Sequence, residues 1–315
     1  MTETTQPTKS YLVTGATRGL GLAAVRALAA TANGERRQIL LAVRDVDAGA
    51  KLAAELTRDH VTARALPLDL SSLEAVRRFA AAPGFDGPLA GLACNAGGQS
   101  FTALRRTRDG WEETIAVNHF AHVALVEGLL PRLRGGRVVF IGSMTHDTTD
   151  FMTRRLFRYH GGHWTSARAL AAGDTSETDA AQAARDRYAT SKLANVATMV
   201  ELARRHAPAE LQSFALDPGL MPGTGLARNH PARLQAVWNY ILPLLTPLLT
   251  PFFPGASTVK RSGAALAWLL TDGALAGQTG RYFNYRRREI APSADARDPA
   301  LAARIVDESL AFVAA

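Results

Sequence analysis

Thr14-Gly15-Ala16-Thr17-Arg18-Gly19-Leu20-Gly21 follows an apolar run, Ser10 to Thr14, and leads into an Ala/Leu-rich segment, Gly19 to Thr31. Three glycines therefore stand where a strand turns into a helix. Gly15 permits the turn, Gly19 lets the backbone approach a pyrophosphate, and Gly21 allows close helix–sheet packing. The first amides of a helix have no partner within it, so the N-terminus behind such a loop faces negative charge. Position after the first strand separates this stretch from a chance glycine-rich turn.

Strand-like and helix-like segments alternate from there. Ile39 to Val43, Val61 to Pro67, Leu89 to Cys94 and Arg137 to Ile141 read as strands two to five. Val46 to Arg58, Ser72 to Ala81 and Gly110 to Leu130 read as the helices between them. Short apolar strands joined by helices predict a parallel sheet covered on both faces, a Rossmann-type doubly wound α/β fold in one domain over residues 10–315. After strand five the rhythm breaks. Residues 144–187 read as a polar, irregular insertion with a short helix near Ala180 to Arg187, and Ala189 to His206 as the next helix. Leu211 to Leu216 is a sixth strand, 220–256 a second irregular lobe, Ser262 to Leu270 a helix, Arg281 to Tyr285 a seventh strand, and Leu301 to Val313 a closing helix. Residues 1–9 read as a polar, disordered tail without an apolar signal segment.

Composition narrows the function. Hydrophobic residues at 47% against 20% charged supply an ordinary core and exclude wholesale disorder. The net charge of +8 is scattered, and its longest basic run is Arg286 to Arg288, so no nucleic-acid partner is expected. Ala236 to Phe253 is apolar but carries Pro243, Pro247 and Pro251, which fits a lid or a weak interfacial contact rather than a membrane span. The one cysteine, Cys94, cannot form an internal disulfide and fits a reducing, cytoplasmic setting. His119 and His122 read as polar core, Cys94 as core, and His146, His160 and His163 as solvated loop, so no metal site is expected.

The glycine loop resembles the TGxxxGxG loop of the short-chain dehydrogenase/reductase family, and further motifs follow in the family's order. Asp69-Leu70, ending strand three, resembles the pair that contacts the adenine. Asn95-Ala96-Gly97 resembles the NNAG motif, with Cys94 in place of its first Asn, and Pro218-Gly219 the turn beside the nicotinamide. The resemblance implies a dinucleotide held by Gly15, Thr17, Arg18, Gly19, Leu20, Gly21, Arg44, Asp69, Leu70, Asn95, Ala96, Gly97, Tyr188, Lys192, Pro218, Gly219, Met221 and Thr224. Gly223 departs from it, standing where many members carry the threonine now at Thr224. An NAD enzyme places an acid at the end of strand two to accept the ribose hydroxyls. Here that place holds Val43, followed by Arg44, and Arg18 lies in the loop. Two guanidinium groups suit a 2′-phosphate, so NADPH/NADP+ is expected, with Asp45 capping the next helix.

Tyr188 and Lys192 form Y-x-x-x-K, which puts both side chains on one helix face. A nearby ammonium is expected to lower the phenol's pKa. Only four of the 36 basic residues are lysine, which makes Lys192 informative. The resemblance implies Ser143 as the serine that holds the substrate oxygen, Tyr188 as proton donor, and Asn118 as support for a water relay to Lys192. It implies hydride transfer to the carbonyl of a small-molecule ketone or aldehyde, bulky and apolar. Two alternatives stay open: reduction of a conjugated C=C bond, as in protochlorophyllide reductase, and a non-catalytic NADPH-binding scaffold. Forty-four residues separate Ser143 from Tyr188, an enlargement that monomeric carbonyl reductases share. A monomer or dimer is therefore expected rather than a tetramer, with 220–256 closing over the substrate.

Overall fold

The computed structural model describes residues 8–100, 104–149, 151–175, 177–222 and 255–315. They build one eight-stranded sheet: β1 (Lys9–Thr14), β2 (Arg37–Val43), β3 (Val61–Pro67), β4 (Leu89–Cys94), β5 (Gly136–Ile141), β6 (Leu211–Asp217), β7 (Arg281–Asn284) and β8 (Glu289–Ile290). The spatial order is β3-β2-β1-β4-β5-β6-β7-β8. Every pairing through β7 is parallel, and only β8 runs antiparallel. The chain reverses its lateral direction between β1 and β4, so the crevice beyond the carboxyl ends of these strands is where a ligand fits.

Side-chain alternation along the strands splits the core in two. Leu12, Leu40, Leu92, Val138, Phe140 and Ala215 pack on one face, with the helix Ala121–Leu129, the helix Ala180–Arg205 and the C-terminal helix Pro299–Ala314. Val13, Ile39, Leu41, Val139, Phe214 and Leu216 pack on the other, with Gly19–Ala30 and Val259–Thr271. Both faces are apolar, which is why the strands read as continuous hydrophobic runs.

Several boundaries differ from expectation. Lys9 belongs to β1, aligned with Arg37, rather than to the tail. The two helices expected around Tyr188 are one, Ala180–Arg205, capped by Asp179, whose carboxylate accepts from the Gln182 amide at 2.9 Å. No Gly or Pro interrupts those residues, so nothing stops the helix. Tyr188 accordingly sits two turns inside it. The helix expected from Gly110 starts at Glu113, because Gly110 takes φ +80 and Glu112 caps the first turn. Within it, Ala116–Phe120 form a π turn. The region 144–187 is less irregular than its composition implied: it holds a 3-10 turn (Met144–His146), two short helices (Phe151–Phe157 and Ala167–Ala172) and the start of the long helix. Of the second lobe, Leu220 and Ala256 meet in a parallel bridge that joins its two ends. Thr224, Trp238, Tyr240 and the three prolines lie outside the described residues.

Candidate active site

The glycine loop is built as its sequence requires. Gly15 and Gly19 have φ +67 and +54, a region costly for residues with a Cβ. A Cβ on Gly21 would stand 2.3 Å from the Gly15 carbonyl oxygen and 2.6 Å from Asn95 Nδ2. Arg18, the residue before the helix Gly19–Ala30, offers no side-chain cap, which leaves that N-terminus open to an anion. Leu20 and Gly21 are buried against the sheet.

Thr14 is the hub under this loop. Its Oγ1 accepts from the amides of Asn95 and Ala96, both at 2.9 Å, and lies 3.0 Å from His122 Nε2. His122 Nδ1 is 3.1 Å from the Asn118 carbonyl and must donate to it. Burial pushes the His122 pKa down to about 4, helped by Lys192 and opposed by the Asn118 bond, so the ring is neutral. Its Nε2 is then an acceptor, and the Thr14 hydroxyl proton has two acceptors in reach, this nitrogen at 3.0 Å and the Ala93 carbonyl at 3.2 Å. Asn95 does not turn to the crevice: its Nδ2 donates to the Thr14 carbonyl at 2.7 Å and locks the loop from below.

Above the loop lies a cavity of about 590 Å³. Its walls include Gly15, Thr17, Arg18, Val43, Arg44, Asp69, Leu70, Ala96, Gly97 and Asn118. Arg18 and Arg44 are exposed on it, and neither makes an ion pair among the described residues. Asp45 instead caps the helix Val46–Leu56, accepting from the Ala48 amide at 3.0 Å. Asp69 accepts from the amide and hydroxyl of Ser71 and lies 3.6 Å from Arg108. Size, the open helix N-terminus and the two exposed guanidinium groups fit a nicotinamide dinucleotide.

Ser143, Tyr188 and Lys192 come together at the carboxyl end of β5. Lys192 Nζ donates to the Ile141 carbonyl at 3.1 Å and lies 5.4 Å from the centroid of the Tyr188 ring. Burial raises the Tyr188 pKa, Tyr159 and Asp217 add to this, and a hydrogen bond with the Ser143 hydroxyl opposes it. That direction is opposite to the one expected from the ammonium. Loss of water around the phenol outweighs an ammonium that is itself depressed to about 8, chiefly by burial. The phenol is thus held protonated.

Asn118 sits inside the π turn. Its amide clamps the Gly98 backbone in both directions, at 2.9 and 3.0 Å, and donates to Ser191 Oγ at 3.0 Å. The side chain therefore shapes the cavity wall, while the backbone carbonyl of Asn118 is already engaged by His122. Gly219 takes φ +67, its amide bonded to Asp217 at 3.0 Å, and the Pro218 carbonyl accepts from Ser262 Oγ at 2.6 Å. Met221 packs on the second core face.

The sequence reading missed four contributors: Gln99, His146, Tyr159 and Asp217. None belongs to a spacing pattern. The readings of His119, His122 and Cys94 as core agree with their burial. His146 is not solvated loop but buried, at 2% exposure. His160 has carboxylate neighbours that the sequence did not reveal: Glu177 and Asp186, with ligand atoms within 4.8 Å of one another. Gln182 Nε2 already bridges His160 Nδ1 and Asp186. No described helix is long and apolar enough to cross a membrane.

A model of the short chain dehydrogenase family matches residues 9–152. Protochlorophyllide reductase B from Hordeum vulgare is 30% identical over 303 residues, covering 89% of this chain and 71% of that protein. Among solved structures, an uncharacterised protein from Mycobacterium paratuberculosis superposes with a TM-score of 0.65 at 25% identity, over 97% of this chain and 93% of that one. The RhlG/NADP active-site complex of Pseudomonas aeruginosa superposes with a TM-score of 0.58 at 25% identity, over 88% and 94%. Together with the sheet order and the loop, these likenesses define the class: the chain belongs to the short-chain dehydrogenase/reductase family of oxidoreductases.

Proposed function

We propose that the protein is an NADPH-dependent reductase of a ketone or aldehyde, bulky and largely apolar, acting in the cytoplasm as a monomer or dimer. The observation that carries this is the half-buried Tyr188 phenol, hydrogen-bonded to the Ser143 hydroxyl and with its ring centroid 5.4 Å from Lys192 Nζ. A nicotinamide dinucleotide bound in the crevice supplies the hydride. The open N-terminus of the helix Gly19–Ala30 would hold its pyrophosphate, and Arg18 and Arg44 would hold a 2′-phosphate. The Ser143 hydroxyl donates to the substrate's carbonyl oxygen and orients it. Tyr188 gives its proton to that oxygen as negative charge develops there. Lys192, charged in the loaded site, stabilises the phenolate left behind.

One observation favours a second reading. The curated relatives at this level of identity include protochlorophyllide reductases, from Chlamydomonas reinhardtii at 32% over 302 residues as from barley. Reduction of a conjugated C=C bond uses the same proton donor on a carbon rather than an oxygen. NADPH consumption with matched saturated ketones and enones separates the two, because product analysis shows which bond was reduced. No turnover of any such compound by a chain that binds NADPH would leave the scaffold.

A further inference from the structure

Spacing in the sequence gives His160 no acidic partner, and folding supplies two. Ligand atoms of His160, Glu177 and Asp186 all lie within 4.8 Å of one another. The three come from separate stretches: the segment after the helix Phe151–Phe157, the segment before the helix Ala180–Arg205, and the second turn of that helix. None of them is buried, so ions in solution reach them.

Gln182 marks where their lone pairs converge. It stands four residues before Asp186, on the same helix face. Arg185 donates twice to its Oε1, at 2.9 and 2.7 Å, which fixes the orientation of the amide. The NH2 end therefore faces the cluster, donating to Asp186 Oδ1 at 2.7 Å and to His160 Nδ1 at 3.2 Å. An NH2 group only donates, so Nδ1 is an acceptor, the form that ligates a metal. One electropositive group thus holds an imidazole nitrogen and a carboxylate oxygen toward a common point, with Glu177 beside it.

Charge argues the same way. Burial raises the Asp186 pKa and the Glu177 carboxylate adds to this, against the Gln182 hydrogen bond. Neither Glu177 nor Asp186 is in an ion pair among the described residues. A divalent cation compensates two carboxylates where a neutral amide does not. One imidazole nitrogen with two carboxylates suits Zn2+, whereas Mg2+ and Ca2+ take oxygen ligands. Zinc bonds of about 2.0–2.2 Å set ligand atoms roughly 3.5 Å apart, so these unburied side chains draw in by about 1 Å.

We propose that His160, Glu177 and Asp186 form a site for a divalent transition-metal ion, Zn2+ by its donor set, in which the ion takes the place of the Gln182 NH2 group. A half-turn of that amide brings Oε1 to the ion, and Arg185 has Asp179 to turn to, 3.9 Å away. The ion takes no part in hydride transfer. Asp186 precedes Tyr188 by two residues, and Tyr159, next to His160, has its ring centroid 6.1 Å from that of Tyr188. A bound ion therefore fastens the segment around Tyr159 to the helix that carries Tyr188.

The test titrates untagged protein, stripped of metal with a chelator, with ZnCl2 by calorimetry, and follows thermal unfolding with and without the ion. One Zn2+ should bind per chain, and Tm should rise with Zn2+ concentration. MgCl2 should do neither. His160→Ala should lower the Zn2+ affinity by more than about tenfold, the loss that even outer-shell changes at metal sites produce, and Glu177→Gln should do the same. NADP+ binding reports that both variants are folded. His163→Ala, at an exposed histidine outside the cluster, should keep the wild-type affinity. Absence of saturable Zn2+ binding, binding that survives His160→Ala, an equal loss in His163→Ala, or equal affinity for Mg2+ would each overturn the proposal. None of these readouts depends on which substrate the protein reduces.

Discussion

His146 Nδ1 donates to the Ser143 carbonyl at 2.5 Å, and its Nε2 accepts from the Ser293 amide at 3.1 Å. One ring thus ties the loop after β5 to the chain just before the C-terminal helix. Burial pushes its pKa down, so the ring stays neutral and both bonds persist. The Tyr282 ring packs edge-on against it, with centroids 5.7 Å apart. His146→Phe keeps the aromatic contact and loses both bonds. It should cost about 1–3 kcal/mol of stability, read by denaturant melts. It should also lower kcat while leaving NADPH affinity near wild type, because Ser143 loses its anchor and the dinucleotide crevice does not.

Tyr188→Phe should retain NADPH binding and lose turnover by about 10²–10⁴-fold, since the ring still packs and only the proton donor is gone. Lys192→Met should damage both. Fluorescence titration and a steady-state assay on the same preparations check this; near-wild-type turnover in Tyr188→Phe would overturn the assigned chemistry.

Arg44→Asp should reverse the cofactor preference from NADPH to NADH. The loss toward NADPH is on the order of 1.5–3 kcal/mol, one hydrogen bond to a charged group. Titration of wild type and variant with both dinucleotides decides it. Equal or tighter NADH binding by the wild type would count against the role given to Arg18 and Arg44.

His119 and His122 are held at about 3 and about 4, chiefly by burial, against an unfolded value near 6.5. Below pH 6.5 the unfolded chain takes protons that the folded chain refuses. Stability should therefore fall as pH falls from 6.5 toward 4, by about 1.4 kcal/mol per pH unit for each histidine. Urea midpoints between pH 7 and 5 should show this slope, and His122→Gln should flatten it by one histidine's share. An unchanged slope in the variant would refute the linkage.

The helix Ala180–Arg205 is buried along most of its length, and the C-terminal helix Pro299–Ala314 packs against it. His119 reaches both, at 3.2 Å from Asn195 and 2.9 Å from Ser309. A second subunit approaching this helix would meet the chain's own C-terminal helix rather than a bare helix face. Light scattering should show a monomer or dimer over a range of concentrations; a tetramer paired through residues 189–206 would contradict this.

What the chain's order of residues determined alone is local. The glycine loop, the Y-x-x-x-K pair and the strand–helix alternation are read from neighbours within a turn or a strand, where geometry depends on spacing. Val43 in place of an acid, with Arg44 following it, is legible for the same reason, since the end of a strand has a known position. Tertiary structure decided the partners. Thr14 meets His122 across 108 residues, His146 meets Ser293 across 147, and Tyr159 meets Gln99 across 60. No periodicity carries these pairings, because they form only when the sheet order brings distant loops to one edge. The direction of the Tyr188 shift was likewise hidden. Spacing shows that an ammonium is near, but only the packed site shows how much water the phenol has lost, and that loss wins.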